Sequence, residues 1–173
     1  MPLLQPTKDL LRYLQQNPAV RAQIRAAPGR TLLYAGTFFR PIWQELLWLK
    51  QRDPQLAQKE VLPEVLARIR VAGTPHASLL AWAQLLDAQQ PWAENGFISW
   101  RALSGIFAAN AVGAVSFSIG SPVTAANKVF AATEVSVLAR NPHIDATTRD
   151  LVAYFQRCIQ TRQDHINLGF IAG

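Results

Sequence analysis

The chain has a single cysteine, Cys158. One thiol excludes an internal disulfide and any zinc site built on cysteine pairs, and it fits a reducing, cytoplasmic compartment. Histidine is nearly as scarce, with only His76, His143 and His165. Neither a phosphate-cradling glycine loop nor a Gly-x-Ser-x-Gly nucleophile turn occurs. Catalysis and metal binding need several reactive groups that converge, and the candidates do not. His76 falls in the first turn of an expected helix, where a hydrogen-bonded capping role suits it. Cys158 and His165 are two helical turns apart, roughly 10 Å along one axis, too far for direct activation of the thiol. Glu60 and Glu64 are one turn apart and can hold a cation, but such pairs are commonplace on solvated helices. These absences describe a non-enzyme without cofactor or metal site, for which a small-molecule substrate is a poor fit.

Charge is missing from one long stretch. Ala102 to Asn127 carries no charged side chain and is closed by Arg101 and Lys128. A bilayer span needs about 20 predominantly apolar residues. Here Ser104, Asn110, Ser116, Ser118, Ser121 and Thr124 interrupt the run, and Leu103 to Ile119 is short for a span. The stretch therefore reads as the centre of a helical core, wrapped by the other helices. Gly105, Ala109 and Gly113 recur every fourth residue and predict a small-residue strip that lets another backbone approach closely. Helix is expected to about Ala114. Beyond it Val115, Phe117 and Ile119 alternate with Ser116, Ser118 and Gly120, a period that suits a strand equally well.

Acidic residues are scarce at the front. Up to Arg52 there are eight Lys and Arg residues against Asp9 and Glu45, and from Asp53 onward nine bases meet nine acids. The formal charge of +6 thus belongs to the first third. A basic lobe (1–52) on a neutral body (53–173), within one domain of 173 residues, attracts something anionic. Arg12, Arg21, Arg25, Arg30 and Arg40 are the candidate partner-binding residues. The partner expected is an acidic protein surface or secretion signal. Nucleic acid and a membrane periphery are the other classes the lobe suits. The start MPLLQPTKDLLRYL lacks the basic, then apolar, then small-residue order of a secretory signal. An Arg-rich beginning is also a trait of organellar transit peptides, but Asp9 and the early prolines argue against one.

Half of the residues are hydrophobic, which excludes a disordered chain. Four capping residues precede prolines: Asn17-Pro18, Asp53-Pro54, Thr74-Pro75 and Ser121-Pro122. Each pair predicts a helix start, and together they predict an all-α compact bundle of about seven short helices around the small-residue-rich central one. Thr7 is expected to cap a helix to Gln16 with Leu10, Leu11 and Leu14 inside. Pro18 opens a second helix, to Pro28-Gly29, on which Arg21 and Arg25 share a face opposite Val20 and Ile24. Thr31 to Leu49 is expected to be helical, kinked at Pro41, with Ile42, Leu46 and Leu49 inward. Its Phe38, Phe39, Trp43 and Trp48, interleaved with Arg30 and Arg40, can pack in the core or stack on bases. The piece after Pro63 places Val65, Leu66 and Ile69 inside, and the helix after Pro75 does so with Leu79, Trp82, Ala83 and Leu86. Pro122 begins a helix to about Arg140 with Val123, Phe130 and Val137 inward. Asp145 caps the last helix, with a seam of Leu151, Phe155, Cys158 and Ile159, and Gly169 ends it.

From His76 to about Leu151 the order of features resembles the cytosolic part of the DotM/TrbA family, helical components of type IV secretion and conjugation machines. The likeness rests on His76 followed by LLDA, on Phe97 with Trp100, on NAVG at Asn110 to Gly113 with Phe117 and Gly120, and on ARNPHIDA at Ala139 to Ala146. It covers under half the chain. The charged and aromatic residues that the family carries between its Trp and its Asn are replaced here by RALSGIFAA, and the family's membrane anchor is missing. The resemblance implies a docking platform at the inner face of a membrane, whose basic surface receives acidic secretion signals or neighbouring subunits. It transfers no individual binding residue. A membrane-active protein using Ala102 to Ile119 and Thr31 to Leu49 is the remaining alternative.

Overall fold

The computed structural model describes residues 2–35, 47, 48, 50–89, 97–119, 129–161 and 169–171. Arg40, the Pro41 kink with Phe38, Phe39, Ile42, Trp43, Leu46 and Leu49, the Ser121-Pro122 start with Val123, and His165 lie outside them.

Helices dominate, but the fold is not purely helical. In chain order come α1 (Gln5–Gln16), α2 (Pro18–Gln23), β1 (Thr31–Ala35), α3 (Pro54–Ala57), α4 (Leu62–Ala67), α5 (Leu79–Gln89) and α6 (Phe97–Ala109). Then follow β2 (Val115–Ile119), a π-helical turn (Phe130–Glu134) leading directly into α7 (Val135–Leu138), α8 (Ala146–Thr161) and β3 (Gly169–Ile171). The three strands form one sheet in the order β1-β2-β3. β1 and β2 are parallel, from Thr31 opposite Val115 to Ala35 opposite Ile119, and β3 runs antiparallel to β2.

The all-α expectation is corrected at two segments. Thr31 to Ala35 does not begin a kinked helix. It is a strand of Thr, Leu, Leu, Tyr and Ala, released from the preceding chain at Gly29, whose φ of 75° favours glycine. Gly169, expected to end the last helix, instead opens the third strand, Gly169–Ile171. The alternation seen after Ala114 resolves as strand β2. Parallel strands need cover on both faces, and both faces are covered. Leu33, Ala35, Val115, Phe117 and Ile119 join the main core, while Leu32 packs with Leu56 and Val61 in a smaller cluster.

The uncharged middle is largely buried as far as Ile119, although Ala109 and Val112 are exposed. Leu103, Phe107, Ala108, Ala111, Val115, Phe117 and Ile119 are fully buried. The glycine strip is another matter. Gly105 lies beside Thr133 of the π-helical turn, but Ala109 is exposed, and Gly113 has already left the helix with φ 77°. Phe117, Phe130 and Phe155 meet edge to face at centroid separations of 5.1 to 6.1 Å and tie β2, the π-helical turn and α8 together. Among the described residues no helix is long and apolar enough to cross a membrane.

The helix starts follow local chemistry, not always the expected residue. Asp53 caps α3 by accepting from the Gln55 N–H at 2.9 Å, and Asp145 caps α8 by accepting from Thr148 at 2.8 Å. Thr7 is not the cap residue, because α1 already begins at Gln5 behind Leu4 and Thr7 is buried within it. Asn17 turns back instead, its Nδ2 donating to the Tyr13 carbonyl at the end of α1. Thr74 makes a turn with His76, and Ser78 caps α5 through the Ala81 N–H. On α5, Leu79, Trp82, Ala83 and Leu86 are buried, matching the expected apolar face.

Candidate functional site

The basic front end is less free than its sequence suggests. Arg21 is half-buried, and its guanidinium donates to the Leu14 and Gln15 carbonyls at 3.0 and 3.1 Å, where α1 runs out of internal partners. It is a brace across the α1–α2 corner. Arg25 does not share a helix face with it, since α2 stops at Gln23. Arg12 lies on α1 beside Asp9 at 3.8 Å. Lys50 pairs with Glu64, whose Oε1 also accepts from the Val61 N–H. Arg52 lies over the ring of Trp48, 4.1 Å from its centroid. Lys8, Arg25 and Arg30 remain, Lys8 on α1 and the two arginines past the end of α2: all three are exposed, and none forms an ion pair among the described residues.

The segment that carries the two arginines, between α2 and β1, is held from behind by Glu60. This residue pairs with the sheet edge through its backbone, Leu32 N–H to Glu60 O at 3.0 Å and Glu60 N–H to Arg30 O at 2.7 Å. Its carboxylate accepts from the Ala27 N–H at 2.7 Å and from the Arg68 guanidinium. Burial pulls this carboxyl upward, but the Ala27 N–H and Arg68, aided by the charge of Arg30, outweigh it and hold it below the usual carboxylate range. Lys59 adds a positive charge on the Gly29 carbonyl, and Arg68 reaches the Arg25 carbonyl at 3.4 Å. So Glu60 and Glu64 do not share a cation; each is engaged by this chain's own donors. The division into lobe and body is linear only. In space Lys59, Glu60 and Arg68 of the neutral body stand against the basic segment. Nothing in the linear pattern signals this, because it depends on the bridge between Thr31 and Glu60.

Beside this segment lies a cleft of about 550 Å³ lined by Ala22, Gln23, Arg25, Ala26, Ala27, Arg68 and Ile69. Ala26 and Ile69 are buried residues at its apolar floor, and the two arginines are exposed.

A second cluster of polar groups gathers around one buried carboxyl. Glu134, in the π-helical turn, is 5% exposed, and its Oε2 has no hydrogen-bond partner among the described residues. Burial pushes its carboxyl up to about 8, against the lowering effect of a hydrogen bond with Ser104. Tyr34 on β1 is pushed up by burial and by the charges of Glu134 and Asp87. Asp87 is raised by partial burial although Trp100 Nε1 donates to it at 2.6 Å. Arg101 Nε donates to Thr133 at 2.8 Å next to this turn.

His76 stacks on Trp82 at 4.6 Å, and Tyr13 meets the same ring edge-on. Cys158 is buried on α8. Among the described residues no three His, Cys, Asp or Glu side chains approach closely enough to share a metal ion.

No family model, curated protein or solved structure matches the chain.

Proposed function

We propose that the chain is a helical protein-interaction domain, without catalysis of its own, whose N-terminal basic face docks an acidic protein surface. The observation that carries this reading is the pair Arg25 and Arg30, exposed and in no close ion pair among the described residues, with only the charge of Glu60 acting on Arg30. Guanidinium forks match carboxylates in a bidentate geometry, so an unoccupied pair on a braced segment suits an acidic partner. Arg68 and Lys59 strengthen the positive field there, and Glu60 offsets only part of it. A type IV secretion or conjugation assembly at the inner face of a membrane is the proposed setting, and it rests on the sequence resemblance alone.

Reversal of Arg25 and Arg30 to Glu tests the proposal. The double variant is expected to lose binding of a fluorescein-labelled acidic peptide in polarisation measurements while its helical circular dichroism stays unchanged. An unaltered affinity defeats it.

Nucleic acid is the second reading, favoured by one observation. Trp48 is 49% exposed and backed by Arg52, a pairing that offers a stacking surface beside positive charge. It predicts gel-shift affinity that falls steeply with salt. The absence of a shift at low salt removes it.

A further inference from the structure

We infer that the acidic partner seats an acidic segment, bearing a small apolar side chain, in the cleft between residues 22–27 and Arg68–Ile69. This rests on the docking reading above and names its place and its ligand. Three observations converge. The cleft, about 550 Å³, falls in the size range that holds a bound ligand. Its apolar lining is buried Ala26 and Ile69 with exposed Ala22, whose side chains give no hydrogen bonds and favour an apolar group. Its walls carry Arg25 and Arg68.

The two arginines differ in how they are prepared. Arg68 is pinned by its ion pair with Glu60 and by the Arg25 carbonyl. Its side chain is nevertheless 54% exposed, against 17% for Glu60, so the guanidinium keeps donors for an outside carboxylate. A side chain already held in place loses less rotamer freedom on binding. Arg25 has no side-chain partner among the described residues and is free to close over the ligand. Glu60 and the Arg25 carbonyl thus hold Arg68 in place while much of its side chain stays exposed. A phosphate backbone satisfies the arginines but leaves the apolar floor unfilled, whereas an acidic peptide satisfies both.

Filling the cleft without changing charge separates this seat from diffuse attraction. Ala22 is exposed on α2, so Ala22→Phe occupies the cleft at little cost to the fold, checked by a thermal melt. The probes are a labelled peptide mixing Glu with Ala and Val, an oligo-Glu peptide of equal charge, and a single-stranded oligonucleotide of equal charge. The mixed peptide is expected to bind about tenfold more tightly than oligo-Glu, close to the value of one buried apolar group. Ala22→Phe should erase that preference, and Arg68→Gln should weaken the mixed peptide more than Arg157→Gln, which removes equal charge from a helix that does not line the cleft. Equal binding of the two peptides, or an unchanged preference in Ala22→Phe, overturns the seat but leaves the basic-face reading standing. Binding of the oligonucleotide with no binding of either peptide overturns both.

Discussion

Asn141 closes the end of the central helix: its Nδ2 lies 2.9 Å from the carbonyl oxygens of both Ala108 and Ala111, and its Oδ1 accepts from the His143 N–H at 2.8 Å. These carbonyls lie where α6 ends: without the amide the Ala111 carbonyl loses its donor among the described residues, while Ala108 keeps the Ala111 N–H at 3.2 Å. The same corner is laced from the other side. Gly113 N–H donates to the His143 carbonyl, Asp145 N–H donates to the Gly113 carbonyl, and Asn110 Nδ2 donates to the carbonyls of Arg21 and Ile24. The NAVG and NPHID segments therefore have a structural employment in this chain: each asparagine caps a helix that precedes it. Asn141→Ala is expected to lower stability by about 2 kcal/mol in urea titration, from the lost amide bonds and the Ala111 carbonyl left without its donor. Asn141→Asp, which turns an acceptor toward acceptors, should cost more than Ala. A loss below half a kcal/mol for Ala shows that water replaces the amide.

Gly113 supplies the backbone at this corner. Its φ is 77°, and an added Cβ falls 3.4 Å from the Gly29 nitrogen, which itself donates to the Val112 carbonyl. Gly113→Ala combines a left-handed conformation with a tight backbone contact and should cost about 1 to 2 kcal/mol. Gly73→Ala shares the positive φ but meets nothing within 4 Å, so it should cost less. Equal destabilisation of the two contradicts the packing argument.

Glu134 makes stability depend on pH in a stated direction. In the unfolded chain it titrates near 4.5, and in the fold burial raises it to about 8. Below the lower value both states hold the proton and its contribution is intact. Between the two values the unfolded chain releases the proton and the folded chain keeps it, so stability falls by up to about 1.4 kcal/mol per pH unit. Above the higher value the loss is complete. Glu134→Gln lacks this titration, so its stability relative to the parent should improve between pH 5 and pH 8. Parallel curves for the two proteins across that range refute the assignment.

Arg21 and Arg25 should separate fold from recognition. Reversing Arg21 to Glu removes the donor to Leu14 and Gln15 and faces their carbonyls with a carboxylate, so the melting temperature should drop by several degrees. Reversing Arg25, exposed and beyond the end of α2, should leave the melt within a degree and affect only binding. A similar loss of melting temperature in both shows that Arg25 also braces the chain.

What the sequence determined is local. Helix content, the inward face of α5, the aspartate caps of α3 and α8 and the burial of most of the uncharged stretch up to Ile119 follow from spacing and from side chains that act within a few residues. The alternation Val115-Ser116-Phe117-Ser118-Ile119 already contained β2, and Thr31 to Ala35 contained β-favouring residues, but neither says which strand it pairs with. Only the tertiary structure decided that the two lie side by side, 84 positions apart in register, because a ladder is a contact between distant segments. The same holds for the charges. Counting placed a basic lobe at the front, but folding spent Arg21 on carbonyls and brought Glu60 and Arg68 from the neutral body against Arg25 and Arg30. Free charge on a surface is what remains after the chain has satisfied its own donors and acceptors, and that remainder is settled only when the segments meet.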